Sequence, residues 1–177
     1  MMRELMIMIE QLSPDQAAAN VPALIELLQD SVAGGASIGF LPPLADAQAR
    51  EYWNGVIEDL ARGALVLLIA RLAGAVVGTI QLALAQRPNA RHRAEVQKLL
   101  VHTRARRQGI GLALLAAADD AARQAGRTLL VLDTRAGDPS EQLYLKHGYT
   151  RAGAIPQYAR SANGELHATA IFYKLLR

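Results

Sequence analysis

The sequence predicts a single α/β domain built around one mixed β-sheet. The 177 residues are 51% hydrophobic and 20% charged, a composition typical of a globular chain with room for one core. Short apolar segments with the composition of strands alternate with longer segments whose apolar residues recur at helical spacing. In chain order they give a strand, two helices, three strands, a helix, a strand, a helix and two more strands. That order predicts a twisted sheet of six to seven strands flanked by about four helices, over residues 1–177.

The N-terminal part predicts a strand followed by two helices. Residues 5–9 form the apolar strand. Ser13, Pro14 and Gln16 mark a helix start, because serine caps the first turn, proline is tolerated there and glutamine can reach back to the cap. We expect this helix to run to about residue 31, and a second helix to run from about residue 44 to the glycine at position 63.

The middle of the chain predicts three neighbouring strands. Residues 64–71 and 76–85 flank the tight turn Ala73-Gly74 and form a hairpin, and a loop at 87–93 leads to a third strand at 94–101. Strict alternation along that third strand would divide its side chains into two sets, with Glu95, Gln97 and Leu99 on one face and Val96, Lys98 and Leu100 on the other.

The C-terminal part predicts two helices and three strands. A helix at 109–125 ends at a glycine, and the continuous apolar run at 129–132 is typical of a strand covered on both faces. A short helix at about 139–146 follows. Two strands, near 149–153 and at 167–176, complete the sheet.

Composition excludes several kinds of chemistry. The chain has no cysteine, which excludes disulfides, thiolate metal sites and a cysteine acyl-enzyme. The histidines at 102, 147 and 167 have no partners at metal-ligand spacing, so we expect no metal site. The longest apolar stretches, 64–70 and 110–118, are shorter than the ~20 residues that a membrane helix needs. With no clear signal peptide, we expect a cytoplasmic protein without a membrane partner.

The most informative segment is the arginine-rich loop between the strand at 94–101 and the helix at 109–125. Gly109 and Gly111 open the helix, whose unpaired N–H groups and positive dipole end attract an anion. The glycines allow an anion to approach the backbone closely. Three arginines add positive charge beside it: Arg104, Arg106 and Arg107. This pattern fits a ligand that carries a pyrophosphate.

Two other phosphate-binding motifs do not fit this loop. A Walker loop needs Gly-Lys-Ser/Thr, but Leu112 follows Gly111, and a dinucleotide fingerprint needs glycine where Leu114 stands. The remaining pattern is short, and an ordinary strand–loop–helix with a solvated basic loop explains it equally well. Nucleic acid is disfavoured as a partner despite the net charge of +3, because no aromatic residues for base stacking are interleaved with the arginines.

Two blocks in the same order make the chain resemble the GNAT acetyltransferases. The run RRQGIG at 106–111, with the helix that follows it, resembles the coenzyme-binding core of that family. The run LYLKHGY at 143–149 resembles its second hallmark, a tyrosine a few residues before Gly-Phe/Tyr. Longer blocks at 34–40, 93–101, 132–137 and 149–176 resemble the tabtoxin-resistance acetyltransferases, which acetylate an amine on a β-lactam amino-acid toxin.

The resemblance implies the GNAT fold, with acetyl-CoA as co-substrate. In that fold the strand at 94–101 splays from the next one, so its amides can bind the pantetheine arm, and the amide of Leu100 or Val101 can stabilise the oxyanion. Backbone N–H groups around 107–112 would hold the pyrophosphate. The expected coenzyme-binding residues are Leu99, Leu100, Val101, Arg106, Arg107, Gln108, Gly109, Ile110, Gly111 and Leu112.

Three residues are candidates for proton transfer. Glu95 and Asp133 resemble the acidic residues proposed as bases in the tabtoxin-resistance relatives, and Tyr144 is the candidate acid for the departing thiolate. Each also has a structural interpretation: a solvated edge charge, a loop-start residue bonded to nearby amides, and a core tyrosine, respectively. Many GNAT members carry an asparagine seven residues before this tyrosine; Gly137 stands there, leaving its contact to Asp138, to Ser140 or to no side chain.

The expected reaction is direct acetyl transfer to an amine of a small molecule, and the resemblance suggests a β-lactam-type toxin or antibiotic, hence a role in resistance. Residues 34–40 and the loop 156–163 are expected to form the acceptor pocket, while Trp53 is expected in the core. A protein or peptide N-acetyltransferase and a catalytically silent coenzyme-binding module are the alternatives. The resemblance also suggests a homodimer.

Overall fold

Seven strands form one continuous sheet in the computed structural model, which describes residues 6–177. The strands are β1 (Ile7–Gln11), β2 (Leu65–Leu72), β3 (Ala75–Leu84), β4 (Arg93–Val101), β5 (Leu129–Arg135), β6 (Thr150–Arg160) and β7 (Leu166–Leu175). The helices are α1 (Pro14–Ala19), α2 (Val21–Ala33), α3 (Asp46–Ala61), α4 (Ile110–Gln124) and α5 (Ser140–Lys146). The sheet order is β1-β2-β3-β4-β5-β7-β6, and only the pair β4–β5 is parallel. The predicted fold class is confirmed.

The first predicted helix is two helices in the structure. It begins as predicted, because the Ser13 hydroxyl accepts a hydrogen bond from the Gln16 amide (3.2 Å) and the Gln16 side chain accepts one from the Ser13 amide (2.8 Å). The helix is interrupted at Asn20, and Pro22 lies in the first turn of the next helix. Proline has no N–H, so a continuous helix would leave a carbonyl of the preceding turn without its donor. Over residues 6–177, five α-helices therefore flank the sheet. Residue 5 of the first predicted strand lies outside the described residues.

Helices cover the sheet on both faces. On one face α4 buries Ile110, Leu114 and Leu115 against the central strands. On the other face α1, α2 and α3 form a second core, and Trp53 is fully buried there, as predicted. Apolar area removed from water is the main favourable contribution to such packing, at about 25 cal/mol per Å². Both helical layers contact β4, so this strand lies where the two layers approach each other.

The parallel pair β4–β5 is joined over a short distance only. Residues Arg93, Ala94 and Glu95 pair with Leu129, Leu130 and Val131, whereas β5 continues beside β7 as far as Arg135. The C-terminal half of β4 therefore has no strand on its β5 side among the described residues. The expected splay is present, and it opens a cleft through the middle of the sheet.

A β-bulge in β4 corrects the predicted alternation of its side chains. Thr79 of β3 pairs with Leu100, but Gln81 pairs with Gln97, so β4 contains one extra residue between these pairs. Lys98 lies at this bulge with φ +49°. The bulge shifts the phase of the strand, so Leu99 packs with Val96 against the α4 side, and Lys98 lines the cleft with Glu95. The predicted division fails beyond the bulge: Leu99 shares a face with Val96, whereas Lys98 and Leu100 lie on the opposite face.

Strand β6 is longer than predicted and takes up most of the predicted loop at 156–163. It continues to Arg160, and its pairing with β7 is interrupted between Ile155 and Ala159. Pro156 lies inside this irregular segment, on an edge strand where its missing N–H leaves no ladder bond unmade. The irregular segment carries Tyr158 towards the cleft.

Candidate active site

The start of α4 forms one wall of a cavity of about 760 Å³. Gly109 caps the helix with φ +81°, a conformation that glycine adopts without strain, and Arg107 before it also has positive φ, at +61°. Consecutive left-handed and helical residues direct their N–H groups into one concave surface. The cavity can therefore receive an anion at the helix end.

Nine of the ten predicted coenzyme-binding residues line this cavity, and Gln108 does not, since its side chain is exposed outside it. Sequence reasoning missed the opposite wall, which comes from the end of α2, the loop after it, and α5. The missed residues include Gly34, Gly35, Leu143 and Lys146. Lys146 adds a positive charge to this wall. Its position in the last turn of a short helix does not indicate from the sequence that it lines the cavity.

The three loop arginines have different surroundings. Arg104 forms an ion pair with Glu26 (3.1 Å) and does not line the cavity. Arg106 lines it, and its Nε donates to the Val101 carbonyl oxygen (3.0 Å), which fixes the guanidinium at the cavity wall. Arg107 also lines the cavity. Two of the three arginines can thus approach a bound phosphate.

The hydrogen bonds of β4 distinguish the two predicted oxyanion donors. The His102 amide donates to the Val77 carbonyl oxygen of β3 (2.8 Å). Backbone groups alternate in direction along a strand, so those of Val101 point away from β3, towards the cleft, and those of Leu100 point back to β3. The bond from Arg106 to the Val101 carbonyl oxygen agrees with this direction. The Val101 N–H is therefore the amide that faces the cleft.

A second cavity, of about 420 Å³, adjoins the first and brings the three predicted catalytic residues together. Glu95 comes from β4, Asp133 from β5 and Tyr144 from α5. Residues 36–39 form one wall, and Tyr158 and His167 of the β6–β7 hairpin form another. Tyr144 lines both cavities, so it lies where two bound reactants would meet.

The two carboxylates have unequal surroundings. Asp133 Oδ2 accepts a hydrogen bond from the Thr169 hydroxyl (2.8 Å), and Thr169 is itself buried in β7. Glu95 is exposed to the cavity and accepts no hydrogen bond from residues 6–177. Sequence reasoning missed Thr169, which reaches Asp133 only because β5 and β7 are neighbours in space. One carboxylate is thus held in place, and the other is free to act on a bound molecule.

Burial fixes the protonation state of Tyr144. The side chain is 7% exposed, and its ring packs against those of Tyr149 (5.8 Å between centroids) and Phe172 (5.9 Å). Burial, with a smaller contribution from the negative charge of Asp133, raises the pKa of Tyr144 to about 12. The hydroxyl forms no hydrogen bond with the part of the chain that the structure describes. At neutral pH it is a proton donor without a partner.

The turn after β5 supplies the two residues considered as replacements for the absent asparagine. Asp138 and Ser140 line both cavities, and Gly137 adopts φ +87°. The Ser140 hydroxyl is bonded to the Thr134 hydroxyl (2.8 Å). Arg135 donates to the Gly35 carbonyl oxygen (3.1 Å) and so joins this turn to the loop after α2.

The histidines have structural partners or lie at the cavity rim. His102 accepts a hydrogen bond from the Arg104 amide, and His147 bonds to Asp119 (3.0 Å), which also binds Lys174 (2.5 Å). Over residues 6–177 no group of three or more His, Cys, Asp or Glu residues could hold a metal ion. Within the same range no helix combines the length and apolarity needed to cross a bilayer.

Together the two cavities hold what acyl transfer from a thioester to an amine requires. A large cavity with an anion-binding end suits a phosphate-bearing carrier, and the Val101 N–H can stabilise an oxyanion. Two carboxylates can receive a proton and a neutral tyrosine can give one. Holding both reactants in adjoining cavities would supply much of the rate.

Comparisons with known proteins agree with this chemistry. The sequence model of the acetyltransferase (GNAT) family matches residues 22–149. An uncharacterised N-acetyltransferase of Azospirillum brasilense, encoded between hisH and hisA, is 32% identical over 114 residues, which make up 63% of this chain and 66% of that relative's length. The ribosomal-protein-alanine N-acetyltransferase of Brucella melitensis is similar in structure, with a TM-score of 0.81 and 26% identity over 96% of this chain and 99% of that chain. The fold also matches yncA of Salmonella typhimurium, solved with its cofactor acetyl-CoA, with a TM-score of 0.80 and 18% identity over 97% of this chain and 95% of that chain.

Proposed function

The chain belongs to the acetyltransferase (GNAT) family, and on that premise we propose that it transfers the acetyl group of acetyl-CoA directly to an amine of a small molecule. Enzymes of this family are acyltransferases that use acetyl-CoA. The observation that carries the proposal is the pair of cavities that meet at Tyr144. One has the size and the anion-binding end that the coenzyme needs, and the other has carboxylates for the amine.

The larger cavity receives the coenzyme. The diphosphate binds the N–H groups at the start of α4, between Arg106 and Arg107, and the pantetheine arm follows the open side of β4. The thioester carbonyl oxygen then lies at the Val101 N–H. The anion site and the oxyanion donor are backbone groups, which explains why their positions depend on glycine and on strand splay rather than on particular side chains.

The acetyl group moves in one step between the two bound reactants. The amine nitrogen attacks the thioester carbon, the N–C bond forms and the C–S bond breaks. We assign the base to Glu95, which has no other partner, and the orienting role to Asp133, which Thr169 holds. The amine proton passes to Glu95, and the coenzyme thiolate takes a proton from Tyr144. No cysteine is available for an acyl-enzyme.

The size of the acceptor cavity supports a small molecule. About 420 Å³ lies within the usual range for small-molecule sites, roughly 300–1,000 Å³. A β-lactam-type toxin or antibiotic, and hence resistance, is the acceptor class that the tabtoxin-resistance resemblance suggests. A protein or peptide α-amine is the second candidate, which the Brucella melitensis ribosomal-protein-alanine enzyme favours. The cytoplasmic location and the homodimer stay predictions.

An acetyl-CoA-dependent thiol-release assay tests the proposal. The panel contains β-lactam amino acids, aminoglycosides, polyamines and short peptides. We expect thiol release with at least one small amine, and a fall in kcat of about 10²- to 10⁴-fold in Glu95→Gln because the general base is lost. Glu51→Gln, on the exposed face of α3, is the matched control.

Two results would contradict the proposal. Turnover with peptides alone would favour the protein acetyltransferase. Binding of acetyl-CoA without thiol release on any amine would identify the chain as a silent coenzyme-binding module.

A further inference from the structure

Lys98 has a strained backbone conformation and lines the acceptor cavity. Its φ of +49° places a residue with a long side chain in the left-handed region, which residues other than glycine rarely adopt. The bulge that contains it turns the side chain to the same side as Glu95, and both residues line the cavity. Backbone strain of this kind concentrates at sites where it serves a function.

The Lys98 ammonium is half-buried, and none of the residues that the structure describes accepts a hydrogen bond from it. It lies 5.4 Å from the ring centroid of Tyr52, and within residues 6–177 it forms neither a hydrogen bond nor an ion pair. Tyr52 is itself fixed, because its hydroxyl is bonded to the side chain of the buried Gln81 (2.9 and 3.1 Å). The aromatic ring thus supports the cation from one side, and Lys98 lines the cavity on the other.

Two features of its surroundings act on the pKa of Lys98 in opposite directions. Burial lowers the pKa of Lys98, and the nearby negative charges of Glu95 and Asp133 partly oppose this effect. An anion bound at the ammonium would replace the water that burial removes. An ammonium group has three donors and no acceptor, and a carboxylate is its natural partner in a small organic molecule.

The acceptor cavity therefore presents charges of both signs. Glu95 and Asp133 supply negative charge for the amine, and Lys98 lines the same cavity with a positive charge that has no ion-pair partner within residues 6–177. We infer that Lys98 binds the carboxylate of the acceptor, and that the acceptor is an amino acid or a close analogue with its amine and its carboxylate on one small molecule, an inference that rests on the proposed function. Lys98 is then a specificity-determining residue of the transferase.

Matched acceptor pairs test this assignment. Each pair consists of an amino acid and the amine that lacks its carboxylate: phenylalanine with phenethylamine, lysine with cadaverine, and methionine with 3-methylthiopropylamine. We expect the wild-type protein to acetylate the amino acid of at least one pair with the lower KM. In Lys98→Gln the KM for that amino acid should rise by about 10- to 100-fold, the usual size of a charged hydrogen bond, so the preference within the pair disappears. Lys98→Arg should restore most of the preference.

Two controls separate this role from general effects. Arg50→Gln removes a positive charge from the exposed face of α3, outside the cavity, and should leave the preference unchanged. The Kd for acetyl-CoA, measured for each variant, shows that the coenzyme cavity is intact.

The outcomes distinguish this inference from the proposed function. Equal KM values within every pair, or an unchanged preference in Lys98→Gln, would overturn the carboxylate site while acetyl transfer stands. A loss of kcat in both Lys98→Gln and Lys98→Arg, with KM unchanged, would instead make Lys98 a proton-transfer group and refute the inference. No transfer to any amino acid of the pairs, with transfer to another amine of the thiol-release panel, would overturn the inference alone. No thiol release with any amine of the pairs or of that panel, with acetyl-CoA bound, would remove the proposed function and this inference with it.

Discussion

Burial prepares Tyr144 for its proposed role as the proton donor. The ring is held between Tyr149 and Phe172, and its hydroxyl is left at the junction of the two cavities. The charge of Asp133 adds to the effect of burial, because a negative neighbour disfavours a second negative charge. A structural tyrosine and a catalytic one are therefore not alternatives here, since the packing that buries the ring also keeps the hydroxyl protonated.

Replacing Tyr144 with phenylalanine should separate catalysis from coenzyme binding. The ring and its packing remain, so the Kd for acetyl-CoA should change little, whereas kcat should fall by about 10²-fold or more because the thiolate loses its acid. Since the pKa of Tyr144 is raised to about 12, its proton should be retained up to pH 11 and lost only as pH rises through 12. Steady-state kinetics from pH 7 to 10, with Tyr173→Phe on the exposed part of β7 as control, measures the fall in kcat and shows whether the wild-type kcat is maintained up to pH 10. An unchanged kcat would exclude Tyr144 from proton transfer.

The sequence predicts which residues line the site better than it predicts the face of the strand on which each side chain lies. Glu95, Asp133 and Tyr144 line one cavity, but Lys98 was placed on the opposite face of its strand. A bulge depends on the pairing of two strands, and neither the extra residue nor a φ of +49° can be read from local composition. The role of Thr169 cannot be predicted for a similar reason, because its contact with Asp133 joins residues that are far apart in sequence.

At the scale of elements, α4 acts as a rigid support for the anion site because it packs closely on β3. A Cβ added to Gly78 would lie 3.0 Å from both the Leu100 carbonyl oxygen and a Leu114 methyl group, and 3.2 Å from Ile110. Leu100 lies in β4, next to Val101, and the other two neighbours lie in the first turns of α4. The absence of a side chain at Gly78 therefore sets the distance between the helix start and the cleft.

Gly78→Ala should disturb stability and coenzyme binding together. Overpacking at this site should lower the free energy of unfolding by about 1–3 kcal/mol and raise the Kd for acetyl-CoA, because Ile110 must move. Gly55→Ala is the matched control, since a Cβ there meets nothing within 4 Å on an exposed helix, and it should stabilise the protein by about 1 kcal/mol. Urea unfolding and calorimetry measure the two effects. Wild-type stability in Gly78→Ala would contradict the close contact between α4 and β3.

Elements were predicted well where a local signal marks their ends. The capping box at Ser13 and the glycines after α3 and α4 fixed helix ends close to where the structure has them. Pro22 is a local signal for the break between α1 and α2, which the prediction of one continuous helix does not include. The extent of β6 could not be predicted, because its pairing with β7 resumes after an irregular segment.

At the scale of the whole molecule, one topological feature organises the site. β4 and β5 pair over three residues each and then separate, so the sheet itself opens between its two halves. The coenzyme cavity lies where α4 and α5 approach this opening, and the acceptor cavity lies where residues 36–39 and the β6–β7 hairpin approach it. The sequence predicts the order of the elements. The splay of β4 from β5 is predicted only from the family resemblance, because the separation of two strands is a property of the assembled sheet.

We propose that backbone amides at the start of α4 hold the diphosphate of coenzyme A. Calorimetric titration of the wild-type protein with acetyl-CoA and with free coenzyme A tests this assignment. We expect heat of association with both ligands at a stoichiometry of about one, and weaker binding at high salt because the contacts are electrostatic. No heat with either ligand at concentrations up to the millimolar range would contradict the coenzyme site and the acyl transfer that depends on it.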